Sequence, residues 1–209
     1  MKLGLIGIVA TLVLAAAAIA AVTLVYRSSG ATSPDNGSFR GTVEPPGLTM
    51  PRFDLRDQHG RRVSPEDLRG KVVVLTFLDS KCREACPIIA GEITAAWRLL
   101  TPREHAQSAA VAISTNPRDD TPASVRAFLK SHRASRTIRY LVGPLPVMRG
   151  VWHRFLMLSS YESGNAATHS DPVRVYSRDL VWLETEHVGV DLSPQNLAHD
   201  IRLALNRRS

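Results

Sequence analysis

The run KVVVLTF, residues 71–77, limits the possible folds of this chain more than any other segment. It is almost continuously apolar and rich in β-branched residues. Such a run is typical of a strand that is buried on both faces, as in a parallel sheet covered by helices on two sides. A chain of 209 residues has room for one such domain and additional terminal segments. The run therefore predicts an α/β fold.

Strand and helix patterns alternate along the rest of the chain. Apolar runs predict two more strands, and apolar residues at helical spacing predict helices between them. A short β-hairpin precedes the first buried strand, and a second hairpin and a final helix close the chain. This order predicts a three-layer α/β sandwich with an N-terminal β-hairpin extension, which matches a thioredoxin-like fold. The predicted segments are hairpins over 53–63 and 172–184, strands over 71–77, 109–114 and 140–142, and helices over 87–100, 144–155 and from 121 and 193 onward.

Both cysteines of the chain, Cys82 and Cys86, follow the first buried strand. Open α/β sheets place their functional sites beyond the carboxyl ends of such strands. A disulfide between the two would close a very short loop and would stabilise the fold little. In a helix the two side chains share one face, so both sulfurs could reach one metal ion or each other. A helix N-terminus with Lys81 and Arg83 nearby favours thiolate, so at least one cysteine should titrate below about 8.5.

The cysteine spacing by itself leaves redox chemistry and metal binding open. Thioredoxin-type oxidoreductases have two residues between their cysteines, whereas this chain has three. Peroxiredoxins use a Thr-x-x-Cys pattern, but Asp79 and Arg83 stand three residues before the two cysteines. Soft thiolates select Cu(I), zinc or iron–sulfur centres. Two sulfurs suit copper if a histidine returns to the loop.

The N-terminal residues predict a membrane anchor. Residues 3–26 are apolar without a charge or a proline, and about 20 such residues suffice to cross a bilayer as a helix. Residues 1–27 are therefore predicted as a transmembrane signal-anchor helix, with cleavage as a signal peptide as the alternative. Residues 28–50, rich in small and polar types, are predicted as a flexible linker. Residues 51–209 then form the domain, on the extracytoplasmic side of the cell membrane.

The positive charge does not indicate a nucleic-acid partner. The formal net charge is +7, but the basic residues are scattered and form no compact cluster with aromatic residues. A nucleic-acid-binding protein would show a basic stripe or patch. We therefore expect a solvated basic surface that can contact anionic lipid.

Four segments, in order, resemble the Sco/SenC family of membrane-anchored copper proteins with a thioredoxin-like fold. GRRVSPEDLRGKVVVLTFLDSKCREACPIIAGEI (60–93) resembles the core motif of the family, with Cys-x-x-x-Cys-Pro after a strand. AISTNPRDDTPASVRAFLKSH (112–132) and YLVGPLPVMRGVWHRF (140–155) resemble its next two segments. THSDPVRVYSRD (168–179) resembles the segment that holds a histidine ligand. The similarity covers nearly all of residues 53–206.

The resemblance implies a copper site and a role in oxidase assembly. Its copper ligands, for Cu(I) or Cu(II), would be Cys82, Cys86 and His169. The implied function is that of a metallochaperone for the CuA centre of cytochrome c oxidase, with the CuA-bearing subunit and a copper donor protein as partners. The alternative is an exported thiol–disulfide reductase that uses Cys82 and Cys86 as a redox pair, so an enzymatic role stays open.

Three positions depart from the family pattern. The residues between the cysteines are Arg-Glu-Ala, where many members have Pro-Asp-Val. Asn116 stands where an aspartate is usual, and Arg174 stands five residues after His169, where an aromatic residue is usual. Such neighbours orient metal ligands, so these changes bear on copper affinity.

Overall fold

The computed structural model describes residues 37–165 and 169–207. Within them the chain forms one six-stranded sheet, a separate two-stranded hairpin and helices that lie mainly between the strands in sequence. The strands are β1 (Thr42–Val43), β2 (Leu55–Arg56), β3 (Arg62–Val63), β4 (Val72–Leu78), β5 (Ser108–Ser114), β6 (Ile138–Leu141), β7 (Val173–Tyr176) and β8 (Trp182–Glu186). The helices are a 3₁₀ turn (Pro65–Leu68), α1 (Ala85–Leu99), α2 (Pro102–Ala106), α3 (Pro122–Ser131), α4 (Leu145–Phe155), α5 (Ser160–Ser163) and α6 (Pro194–Asn206).

The large sheet has the strand order β1-β8-β7-β4-β5-β6. The strands β4, β5 and β6 run parallel, as expected where helices connect them, and β7 and β8 form the predicted antiparallel hairpin. The strand β7 pairs antiparallel with β4, so β4 lies in the interior of the sheet with a partner on each side. The mixed α/β fold with a central sheet and helices is therefore confirmed.

The strand β4 is buried on both faces, as its sequence predicts. None of its seven residues is exposed. Val72, Val74 and Leu78 pack into one apolar cluster with α1, α3 and α6. The alternate residues Val73, Leu75 and Phe77 pack into a second cluster with α4 and the β2–β3 hairpin. The period of two between successive side chains thus divides the core into two layers.

The predicted β-hairpin extension is present and is attached at the edge of the sheet that β6 forms. The strands β2 and β3 pair antiparallel. The backbones of Arg56 and Val142 exchange two hydrogen bonds, of 3.0 and 2.8 Å, beside the end of β6. The side chain of Leu55 is buried in the second cluster. The hairpin therefore covers one face of the sheet.

The N-terminal segment, residues 39–50, belongs to the domain. The sequence predicts a flexible linker over residues 28–50, but Thr42 and Val43 pair with β8. Phe39 and Met50 are buried, and the Met50 amide donates to the Leu180 carbonyl at 2.8 Å. The free edge of β8 provides hydrogen-bond partners that a Gly- and Pro-rich sequence does not reveal.

The predicted transmembrane helix over residues 1–27 lies outside the described residues. Among residues 37–165 and 169–207, no helix is both long and apolar enough to cross a bilayer.

Gly41 lies against β8 where no side chain fits. An added Cβ would lie 1.9 Å from Glu184 Oε2 and 2.6 Å from the Thr185 carbonyl oxygen. We expect Gly41→Ala to lower the free energy of unfolding by about 1–3 kcal/mol, because the backbone of β8 cannot move away cheaply. Urea denaturation measures the effect.

The matched control for Gly41→Ala is Gly91→Ala. Gly91 lies within α1, and a Cβ there would meet no atom within 4 Å. Since alanine restricts the unfolded chain and favours helix, this change should raise the free energy of unfolding by about 0.5–1 kcal/mol. Equal effects of the two substitutions would contradict the packing of residues 39–50 on β8.

Candidate metal centre

The thiol loop begins where β4 ends, at the carboxyl end of the strand. The Cys82 amide donates to the Asp79 carbonyl at 3.1 Å, which closes a tight turn after the strand. Cys86 lies in the first turn of α1. Both are free thiols and both are buried, Cys86 completely and Cys82 with 5% of its surface exposed. The strand and the helix thus fix the two sulfurs from opposite ends of a short loop.

His169 approaches the thiols from a segment far along the chain. Its Nε2 lies 3.4 Å from the Cys86 sulfur. The two sulfurs and one imidazole nitrogen all lie within 4.8 Å of one another. The other ring nitrogen, Nδ1, lies 3.1 Å from the Ser170 carbonyl oxygen, which favours a proton on Nδ1. Nε2 is therefore the ring nitrogen that faces the sulfurs.

A buried carboxylate, Asp79, holds the loop in place. Its Oδ1 accepts a hydrogen bond of 2.7 Å from the Lys81 amide. Its Oδ2 accepts from the Ser160 hydroxyl at 2.9 Å and from the Asn116 side-chain amide at 3.2 Å. The Asp79 amide points to the Cys86 sulfur at 3.4 Å. Asp79 therefore connects the loop to α5 and to the segment after β5, and its backbone amide donates to the buried sulfur.

A second buried carboxylate, Asp120, supports the same loop from the start of α3. Its Oδ1 accepts from the Ser80 amide at 2.9 Å, and its Oδ2 lies 2.6 Å from the Ser114 hydroxyl and 2.7 Å from the Tyr140 hydroxyl. Burial raises the pKa of Asp120 to about 6, against the hydrogen bonds it accepts. Asp120 thus links the loop backbone to side chains of β5 and β6.

The two thiols differ in pKa because their electrostatic surroundings differ. The hydrogen bond from the Cys86 thiol, together with His169 and the amides of Cys86 and Glu84, outweighs burial and lowers the pKa of Cys82 to about 3. The same contact with Cys82 and deep burial raise the pKa of Cys86. The amides belong to the N-terminus of α1, where a helix favours negative charge. These opposite shifts make Cys82 the more acidic of the two thiols, in the direction that the sequence predicts.

The imidazole of His169 is also shifted. Burial alone would lower its pKa, but the hydrogen bonds to the Cys82 sulfur and to the Ser170 carbonyl outweigh burial, and the net pKa is raised. The imidazole and the Cys82 thiolate therefore attract one another in the metal-free protein.

The donor set fits a soft metal ion. Two sulfurs and one imidazole nitrogen are typical of copper sites, whereas oxygen-preferring ions would find no carboxylate among these three ligands. Among the described residues, this cluster is the only one that contains sulfur. Three ligands leave space for a fourth donor. The arrangement can hold a metal and can also support thiol–disulfide chemistry.

The sequence pointed to Cys82, Cys86 and His169, and the structure brings all three together. The sequence does not reveal that Ser160 and Tyr140 bond to the carboxylates that support the loop. Ser160 lies in the one-turn helix α5, which is too short to give a periodic pattern in the sequence. Tyr140 lies in a predicted strand, where the sequence indicates packing and no further role.

Two of the three departures, Asn116 and Arg174, have clear structural positions. Asn116 bonds to Asp79 and also to Asp119, at 2.9 Å. Arg174 is buried, and its guanidinium lies 4.1 Å from the centre of the Trp182 ring and 3.1 Å from the Phe155 carbonyl oxygen. The planar guanidinium stacks where an aromatic ring would otherwise pack. The fold thus accommodates Arg174.

A family model described as SCO1/SenC matches residues 42–203. The chain belongs to the SCO1/SenC family. The matched range begins at β1 and ends within α6, so it contains the three ligand candidates and both buried carboxylates that support the loop.

Individual relatives agree with this assignment. A copper-binding protein of Stutzerimonas stutzeri is 29% identical over 85 residues, which are 41% of this chain and 42% of that protein, so the chain matches less than half of its length. The copper-bound structure of ScoI from Bradyrhizobium japonicum is 22% identical, with a TM-score of 0.63 over 75% of this chain and 98% of that one. BsSco, a member of the Sco family of cytochrome c oxidase assembly proteins, is 20% identical, with a TM-score of 0.63 over 79% and 98%. At these identities the two solved structures show a shared thioredoxin-like fold.

The difference between the two thiols can be tested by titration. In the reduced, metal-free protein, ultraviolet thiolate absorbance should correspond to one thiolate at about pH 6, where an ordinary thiol of pKa about 8.5 is protonated. Because the folded state keeps Cys82 ionised while the unfolded chain does not, its contribution to stability should fall as pH drops from about 8.5 toward 3.

The variants Cys82→Ser and Cys86→Ser show which cysteine gives the thiolate absorbance. Cys82→Ser should abolish the thiolate absorbance at about pH 6. Cys86→Ser should keep part of it, because the helix N-terminus and His169 still act on Cys82. If the intact protein shows no thiolate below about pH 8.5, the electrostatic account is incorrect.

Proposed function

We propose that this protein binds one copper ion through Cys82, Cys86 and His169 and assists the assembly of the CuA centre of cytochrome c oxidase. The observation that carries the proposal is the convergence of His169 on the two thiols, within 4.8 Å, from a segment 83 residues beyond Cys86. A redox pair needs no such imidazole, whereas copper prefers thiolate and imidazole together. Membership of the SCO1/SenC family supports it.

Copper is the cargo in this proposal. The Cys82 thiolate is ready to bind, and the Cys86 thiol loses its proton on binding, since metal ligands must be deprotonated. The hydrogen bond from Nδ1 to the Ser170 carbonyl orients the imidazole. The open fourth position lets a ligand of a partner protein bind the metal before the three ligands release it. Transfer can then proceed by exchange of ligands.

The place of action follows from the N-terminal sequence. We propose that residues 1–27 anchor the protein in the cell membrane with the domain on the extracytoplasmic side. Thiols there oxidise unless they are reduced or bound to metal, and copper binding would protect Cys82 and Cys86. The CuA-bearing subunit is the proposed acceptor, and a copper donor protein would load the site.

Copper stoichiometry tests the ligand set. The full-length reduced protein should bind about one copper per chain, and the double variant Cys82→Ser/Cys86→Ser should bind none at that site. His169→Ala should weaken binding by at least the roughly 10- to 100-fold that loss of an outer partner of a ligand costs. Competition with a Cu(I) chelator measures both effects.

The matched control is His153→Ala, because His153 is an exposed histidine on α4. It should leave copper stoichiometry and affinity unchanged. Full copper binding by the double cysteine variant would refute the proposed site.

A thiol–disulfide reductase is the second candidate, and one observation favours it. The Cys82 thiolate lies beside the protonated, more buried Cys86. Cys82 could attack a substrate disulfide and form a mixed disulfide with one substrate sulfur. Cys86, after losing its proton, would then attack the Cys82 sulfur. The substrate leaves as a dithiol, and the protein keeps a Cys82–Cys86 disulfide.

His169→Ala separates the two functions. If the protein delivers copper, this variant should fail to transfer copper to an apo CuA domain, as followed by the absorbance of the CuA centre. If it acts only as a reductase, the variant should reduce an oxidised CuA domain at close to the original rate, and Cys86→Ser should accumulate a mixed disulfide. Unimpaired copper transfer by His169→Ala would exclude His169 as a required ligand.

A further inference from the structure

A second cluster of potential metal ligands lies apart from the thiol site. Glu184 and Glu186 stand two residues apart on β8, so their side chains share a face of the sheet. Asp200 of α6 meets them there, and one carboxylate oxygen from each of the three lies within 4.8 Å of the others. All three side chains are completely buried. We call these three residues the carboxylate cluster.

The cluster contains buried oxygens without a hydrogen-bond donor. Neither oxygen of Glu184 and neither oxygen of Glu186 has a donor in hydrogen-bond geometry, although the Ser193 amide is close enough to act on the pKa of Glu186. Asp200 differs, because its Oδ2 accepts from the Arg40 amide at 2.8 Å and the Gly41 amide at 3.2 Å, and its Oδ1 lies 2.6 Å from His199 Nδ1. A buried carboxylate with no partner is strongly unfavourable. Because one oxygen from each of the three residues lies near the others, a bound cation would satisfy carboxylates that the protein leaves without donors.

The acidic side chains around the cluster add negative charge to it. Glu92 of α1 adds a further buried oxygen without a partner, and Asp191 and Glu44 also act on Glu184 or Glu186 as like charges. Burial, followed by these neighbours, raises the pKa of Glu184 to about 10 and that of Glu186 to about 9. His199 Nδ1 lies 2.6 Å from Asp200 Oδ1, and this histidine carries a charge only when it is protonated. The carboxyls of the cluster must therefore hold a proton or lie against a bound cation.

We propose that Glu184, Glu186 and Asp200 form a site for one hard divalent cation, such as Mn²⁺, Ca²⁺ or Mg²⁺. The donors are all carboxylate oxygens, which hard cations prefer, whereas Cu(I) prefers the sulfurs of the other site. Oxygens bound to one such ion at about 2.0–2.6 Å are at most about 4–5 Å apart. The observed spacing meets this limit, and the site is distinct from the copper site in ligands and in chemistry.

The cation would join the N-terminal segment to the rest of the domain. The amides of Arg40 and Gly41 bond to Asp200, and Val43 pairs with Glu184 in the sheet. Gly41 leaves no room for a side chain over Glu184 Oε2. Residues 40–43 therefore cover the carboxylate cluster, and an ion bound there should hold this segment against β8 and α6. In the sequence, the segment follows the proposed membrane anchor, residues 1–27, and the linker residues after it.

Binding of Mn²⁺ to the full-length protein tests the inference. At neutral pH the protein should bind about one Mn²⁺ per chain by electron paramagnetic resonance, and Ca²⁺ should displace it. The melting temperature should rise with the logarithm of free Mn²⁺ concentration, because the ion binds the folded state. Hydrogen exchange of the Arg40–Val43 amides should slow on binding.

The variant Glu184→Gln/Glu186→Gln should lose Mn²⁺ binding and its thermal shift, while it still binds copper. The matched control is Glu66→Gln/Asp179→Asn, which removes two exposed carboxylates and should bind Mn²⁺ normally. Cys82→Ser/Cys86→Ser should also keep Mn²⁺ binding, so failure of the copper proposal and failure of this one can be told apart. Asp200→Asn provides a second cluster variant if the double substitution does not fold.

Two results would overturn the inference. One is no uptake of Mn²⁺, Ca²⁺ or Mg²⁺ by the folded protein at millimolar concentration, in which case protons alone neutralise the cluster. The glutamine variant would then be at least as stable as the original protein under every cation condition, because neutral amides replace neutral carboxyls. The other is Mn²⁺ binding that Glu184→Gln/Glu186→Gln leaves unchanged.

Discussion

The burial of β4 on both faces is the constraint on which the rest of the structure depends. Helices must cover both sides of the sheet, and the covered strand has almost no freedom to shift, because a slip of one residue would exchange its two apolar faces. Its carboxyl end therefore lies at a fixed point, where the thiol loop begins. Asp79 and Asp120 then hold the loop through hydrogen bonds to α5, β5 and β6. The precision of the candidate copper site comes from this rigid strand.

The domain has two groups of buried carboxylates, one at the thiol loop and one in the carboxylate cluster, and their hydrogen bonding differs. At the thiol loop every buried carboxylate has donors, so Asp79 and Asp120 stabilise the backbone around Cys82. At the carboxylate cluster the oxygens of Glu184 and Glu186 have none. A satisfied buried carboxylate stabilises the structure around it, whereas an unsatisfied one needs a proton or an ion. The copper proposal rests on the first group and the cation proposal on the second.

The long apolar elements could be predicted because their patterns are local and strong. The strand β4, the helix α1 and the β7–β8 hairpin all appear close to their predicted positions. Segments without a period could not be predicted. Residues 39–50 pair with β8 because that strand has a free edge, and the single-turn helix α5 is placed by its contacts. Their stability comes from partners far along the chain, which no window of sequence contains.

The sequence by itself determined the α/β class, the position of the thiols after a buried strand and, through resemblance to a known family, the identity of the histidine. These features are local: periodicity, helix-start chemistry and the spacing of two cysteines directly after a strand. Only the tertiary structure decided that His169 reaches the Cys86 sulfur, that Asp79 bonds to Ser160, and that Glu184 and Glu186 meet Asp200. Each of these contacts joins elements far apart along the chain, so the packing of helices on the sheet, and not the order of residues, sets the distances.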